Sequence, residues 1–185
     1  MQEYLSEAVV LDSFPNGNLD ARFIFLTKRF GKLTGKAKSA RKITSKLSGH
    51  LQPGNLVQLR MIEKNGLQVV DALKKSRLPA QAGLGLSLSE LRFLGELLAE
   101  AEPEFTIWEM LVTRPHLPAS QQGEQARHGF SWNTALKILG WDPDFASCAM
   151  CAAKIEAFHP RTQEFFCKNC ASKLRPDEVV YLDND

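Results

Sequence analysis

Four cysteines are the residues of this chain best suited to chemistry. They stand as Cys148-x2-Cys151-x15-Cys167-x2-Cys170 and are the only cysteines present. Each C-x-x-C pair sets two thiolates on one tight turn, and the connection between the pairs is long enough to run out and back as a hairpin. Four sulfurs complete a tetrahedron with no position left for water or substrate, so the expected ion is one structural Zn2+ rather than a catalytic one. Other uses of four cysteines fit less well. Two disulfides need an oxidising compartment. A thioredoxin-type pair needs a C-x-x-C that opens a helix in a βαβ unit, which neither pair has. An iron–sulfur cluster matches on cysteine count alone. His159, inside the hairpin, could be a ligand only by displacing a cysteine, and reads as a loop residue before Pro160.

The second chemical feature is a separation of charge. Residues 1–80 carry 14 Lys/Arg against 6 Asp/Glu, whereas residues 81–185 carry 9 against 15. Between Ala21 and Ile62 there is no acid at all. Lys28, Arg29, Lys32, Lys36, Lys38, Arg41, Lys42 and Lys46 fall within 19 residues. Such a segment makes an electropositive surface, and a polyanion is its usual partner. Gly31, Gly35, Gly49 and the small residues Ser39, Ala40, Ser45 and Ser48 would let the backbone approach phosphates closely. Phe30, among these charges, either stacks on a base as aromatic platforms do or is a partly buried loop aromatic. The eight basic residues and Phe30 are the candidate nucleic-acid-binding set. No nucleophile–base–orienter set appears, and Asp142, Asp144 and Asp177 have no ligand spacing, so no catalysis is expected.

The elements that would carry these residues differ between the halves. Ala8–Leu11, Arg22–Thr27, Leu33–Ala37, Leu56–Ile62 and Leu67–Ala72 read as short strands, punctuated by Pro15-Asn16-Gly17-Asn18, Gly31 and Asn65-Gly66. Phe23 and Phe25 share one face of the second strand, and core packing is the expectation for both. Five short strands hide their edges best by closing, which leaves an OB-type barrel, a sandwich or an SH3-like barrel. In the second half, Ser87-x-x-Glu90 has the form of a capping box before Leu91, Leu94, Leu97 and Leu98. Phe105, Trp108, Leu111 and Val112 give a second helical face, Leu117–Gly129 a loop, and Phe130–Leu139 a third helix stopped by Gly140. After the cysteines, Lys173–Asp185 reads as a charged tail with a short apolar run. The fold class is therefore α+β: a barrel domain over residues 1–79, then a helical domain over 80–185 that carries the zinc module at about 146–173. No apolar run reaches the ~18 residues of a membrane helix, and the acidic opening Met1–Glu7 lacks a signal-peptide pattern, so a cytoplasmic protein is expected.

In order along the chain, these residues resemble the bacterial recombination mediator family RecO. Glu7–Leu11 looks like its first strand, and Leu26-Thr27 with Gly31-Lys32 like its second strand and turn. Ala37-Lys38-Ser39-Ala40-Arg41-Lys42 resembles its A-K-G-A-R motif, and Ser45–Pro53 its S-x-L-x-G-x-L-Q-P segment. Phe130 through Leu139-Gly140-Trp141-x-Pro143 into Cys148-x-x-Cys151 is similar to its passage into the metal site. The chain departs from the family pattern at Ser39 and Ala152, where glycine is usual, and at Gln163–Phe166, which replace a glycine pair. The resemblance implies an N-terminal OB barrel, binding to single- and double-stranded DNA, and annealing of complementary strands. It also implies work with RecR and single-strand-binding protein so that RecA loads at gaps, nucleoid association, and no enzymatic turnover. The competing reading is a protein-interaction adaptor whose zinc and helical half recruits partners, with DNA binding secondary.

Overall fold

The computed structural model describes residues 2–78, 86–112 and 130–183. They fall in two compact units, Met1–Arg114 and Pro115–Asp185, each with its own sheet.

In the first unit, β1 (Glu3–Asn16), β2 (Asp20–Thr27), β3 (Gly31–Ala37), β4 (Asn55–Glu63) and β5 (Leu67–Arg77) close in the order β1-β2-β3-β5-β4. All neighbours run antiparallel except β3 and β5, which meet in parallel at Lys36 and Gln68. This five-stranded closed order is the OB arrangement and settles the choice against a sandwich or an SH3-like barrel. β1 serves both halves of the barrel. Its register shifts between Val10 and Asp12, and this bulge bends the strand so that it pairs with β4 at its start and with β2 at its end.

Alternation along the strands fills the barrel. Val10, Phe23, Phe25, Leu33, Val57, Leu59, Met61 and Val69 belong to one buried cluster. Leu11 and Leu26 point the other way and are just as buried. The helix α1 (Leu88–Leu97) packs across β1 and β2, and a Cβ at its Gly95 would sit 3.5 Å from both Ile24 Cγ2 and Leu11 Cδ1. Each fully buried Leu or Phe contributes about 1.5–3 kcal/mol of transfer free energy, so covering the outer face matters. The capping box forms as read: Glu90 N–H donates to Ser87 Oγ and Ser87 N–H to Glu90 Oε2, at 3.3 and 2.8 Å. In α2 (Phe105–Val112), Ile107, Trp108 and Leu111 are buried, whereas Phe105 is exposed.

The segment after α1 closes a gap in the barrel. β3 touches β5 only near Lys36, and the rest of that edge is covered by residues 100–102. Ala101 N–H donates to Lys32 O at 2.9 Å, and Thr34 Oγ1 donates to Glu100 Oε1 at 3.1 Å. The approach is so close that a Cβ on Gly31 would lie 2.0 Å from Glu102 O.

In the second unit, α3 (Trp132–Ile138) leads through a 3-10 turn (Pro143–Phe145) into β6 (Ala157–His159), β7 (Glu164–Phe166), α4 (Lys168–Ala171) and β8 (Val180–Tyr181). The sheet order is β7-β6-β8. Gly140, at φ +96°, ends α3 as its sequence position suggests. Within the segment read as a charged tail, the short apolar run is structural: Val180–Tyr181 form a strand, Val180 pairs with Phe158, and Val179 and Val180 are buried. Asp183 then caps α3, accepting from Ser131 Oγ at 2.7 Å and from Asn133 N–H at 3.3 Å. A two-residue strand has no readable period of its own; its partner β6 creates it. The expected loop over residues 117–129 lies outside the described residues.

Candidate metal centre and basic face

The hairpin β6–β7 brings the two C-x-x-C turns together. The four sulfurs lie within 4.8 Å of one another, with Cys151 Sγ 3.6 Å from Cys167 Sγ and 3.7 Å from Cys170 Sγ. Zn–S bonds of about 2.3 Å in a tetrahedron put sulfurs about 3.8 Å apart, so this donor set fits the ion. A disulfide requires about 2.05 Å, and all four cysteines are free thiols. Cys148, Cys167 and Cys170 are buried and Cys151 is exposed.

The electrostatics of the cluster point the same way. Backbone N–H groups of Cys167, Met150 and Cys151 bond Cys148 and bring its thiol down to about 6 against the cost of burial. The hydrogen bond with Cys167, then burial and the other sulfurs, push Cys170 up to about 12. Cys151 is raised overall: the Ala153 N–H favours its thiolate, but the sulfurs of Cys148 and Cys167 oppose it. Four crowded thiols cannot all ionise unaided, whereas a bound dication reverses that balance and deprotonates each ligand. His159 is not a ligand. Its Nδ1 accepts from Thr162 N–H at 3.1 Å and helps shape the hairpin turn.

Two of the family departures noted in this module take left-handed backbone. Ala152 has φ +57° and Gln163 φ +59°. Ala152 turns the chain so that its N–H reaches Cys148 O at 2.8 Å and the Ala153 carbonyl accepts from Cys148 N–H at 3.0 Å. Glycine would adopt this conformation without the Cβ penalty.

The basic candidates do not form one uniform set. Lys28, Arg29, Lys38, Arg41, Lys42 and Lys46 are exposed. Lys32 is taken up by packing: its side chain is 12% exposed, and its Nζ donates to Gly95 O at 3.1 Å beside Glu100. Lys36 pairs with Asp20 at 2.9 Å. Asp20 also accepts from Ser39 N–H at 2.8 Å, and this bond, with Lys36, holds its carboxyl below the usual range. Ser39 is the third family departure in the left-handed region, at φ +53°. Arg41 fixes the long β3–β4 loop to the β1–β2 turn: its N–H donates to Leu19 O at 2.9 Å, and its Nη1 to Gly17 O at 3.1 Å. Phe30 is half-buried, edge-on to Tyr4 with centroids 5.1 Å apart, and Arg29 lies over its ring. Sequence reasoning passed over Phe14, a strand-end aromatic that is 42% exposed beside this loop. Alternation along β1 was its available signal.

Fold and site together define an OB-barrel protein with an appended four-cysteine module. The first 77 residues match the family model described as Recombination protein O N terminal. Over 177 residues the chain is 30% identical to the DNA repair protein RecO of Thermodesulfovibrio yellowstonii, spanning 91% of this chain and 70% of that one. With the DNA repair protein RecO of Myxococcus xanthus the identity is 31% over 193 residues, 97% of this chain and 78% of the relative. The chain belongs to the RecO family of DNA repair proteins. Among the described residues, no helix is long and apolar enough to cross a membrane.

Proposed function

We propose that this chain is a non-enzymatic DNA-binding mediator of recombinational repair. It binds single- and double-stranded DNA through the exposed basic face of its barrel and anneals complementary strands. With RecR, and beside single-strand-binding protein, it promotes RecA loading at gaps. The observation that carries this reading is the β3–β4 loop, where Lys38, Arg41, Lys42 and Lys46 project from an OB barrel and Lys42 and Lys46 form no ion pair among the described residues. The cysteine module holds one structural Zn2+ through Cys148, Cys151, Cys167 and Cys170. The ion ties the two turns of the hairpin together, and these residues do no chemistry on a substrate.

Annealing of two complementary labelled oligonucleotides, followed by fluorescence, tests the reading; rates no faster than without protein would overturn it. Contact of five phosphates by Lys28, Lys38, Arg41, Lys42 and Lys46 gives a log affinity that falls with log salt at a slope of about −3.5 on single strands. The adaptor reading draws on exposed Phe145, Met150 and Tyr181 in the second unit. Changing Lys36, Lys38, Arg41 and Lys42 together to Glu separates the two: DNA binding is lost under the mediator reading, whereas loss of partner binding without loss of DNA binding favours the adaptor one.

A further inference from the structure

Between the end of the β1–β2 hairpin and the β3–β4 loop lies an open groove of about 440 Å³. Its floor is apolar: Phe23, Ala40 and Leu51 line it and are 5%, 4% and 2% exposed. Its rim carries Arg41 and Lys42, and no acidic residue lines it among the described residues. Phe14, from the hairpin, and Ile43, from the loop, also line the groove. Ile43 is 104% exposed, so its whole side chain stands in solvent between Lys42 and Lys46 in sequence.

Ile43 and Phe14 line one groove and are both exposed, so they form a shared apolar patch rather than a single scattered side chain. The loop around it is held in place. Arg41 anchors it at Gly17, and Asn55 Nδ2, itself buried, donates to His50 O at 2.9 Å. A slot with an apolar floor, the uncharged polar side chains Ser13, Ser48 and Gln52 in its wall and a cationic rim matches a flat base, which carries its own polar edge, joined to a phosphate. A peptide anchor would match the floor but not the charge.

We infer that this groove receives one unstacked base of single-stranded DNA, with Phe14 and Ile43 against the base and Arg41 and Lys42 on its flanking phosphates. The inference rests on the DNA-binding reading above and adds to it a base-dependent contact at a named place. Phosphate contacts give salt-dependent affinity without regard to the bases, whereas an apolar contact with a base is insensitive to salt. Aromatic stacking and apolar wedges are the two devices proteins use to hold or separate bases.

The test compares the full chain binding a thymidine 20-mer and a 20-mer of the same length in which every base is removed, across a range of salt. The expected result is about tenfold tighter binding of the thymidine strand, the size of one stacking contact of ~1–3 kcal/mol, with equal salt slopes for both strands. Ile43→Ser and Phe14→Ser, both at exposed positions, each reduce that preference several-fold and leave the salt slope unchanged. Photocrosslinking from 4-thiothymidine in the strand should label Phe14, Ile43 or their immediate neighbours. Tight, salt-dependent binding of both strands with equal affinity overturns the groove while sparing the DNA-binding reading. Binding of neither strand overturns both. A thymidine preference that survives both substitutions places the base elsewhere and overturns the assignment.

Discussion

Replacing Gly31 with Ala tests how the barrel is closed. At φ +68° any Cβ costs about 1–2 kcal/mol. The added carbon would also lie 2.0 Å from Glu102 O and 2.6 Å from Glu102 N, both backbone atoms that no rotamer change can move. Residues 100–102 must therefore leave the β3 edge. The Ala101–Lys32 and Thr34–Glu100 hydrogen bonds go with them, and the Lys32–Gly95 bond is strained. At about 1 kcal/mol net per hydrogen bond, the total loss is about 3–5 kcal/mol. That is a large share of the ~5–15 kcal/mol that holds a domain folded. Gly17→Ala is the matched control: φ is +75°, yet nothing lies within 4 Å of its Cβ, so only the backbone penalty applies. Urea unfolding read by hydrogen exchange of the β1–β3 amides should show Gly31→Ala losing at least twice what Gly17→Ala loses. Equal losses would refute the reasoning, because residues 100–102 would then not press on β3.

Ala152→Gly should raise the stability of the cysteine module by about 0.5–1 kcal/mol, because relief at φ +57° exceeds the entropy glycine adds to the unfolded chain; a thermal melt that falls instead would contradict the left-handed turn. Removing metal with a chelator should unfold the second unit while the barrel amides stay protected, and metal analysis of untreated protein should give about one zinc per chain. Asp20 has its carboxyl held below its unfolded value by Ser39 N–H and Lys36. Its contribution is therefore present above the unfolded pKa of about 4 and is lost as pH falls through the folded value. Asp20→Asn should flatten the acid limb of barrel stability in a pH series of urea melts, and an unchanged limb would count against the bond to Ser39.

Much of this protein is legible in the sequence because the signals are local. The C-x-x-C spacing names the four cysteines that the structure brings together, since two thiols three residues apart sit on one turn. Alternating Phe23 and Phe25, the Asn65-Gly66 turn and the Ser87–Glu90 box depend only on neighbours along the chain, and each forms as read. The tertiary structure decided what depends on distant partners. The closed order β1-β2-β3-β5-β4 distinguishes the OB barrel from its rivals, and it needs pairings between strands far apart in sequence. Lys32 looks like its basic neighbours in sequence, yet it is drawn into packing by Gly95 and Glu100, more than sixty residues away. Val180 becomes a strand only because Phe158 offers it an edge. Spacing along the chain fixes which groups can act together on a turn or a helix face, while exposure and free charge are set by whatever packs against them.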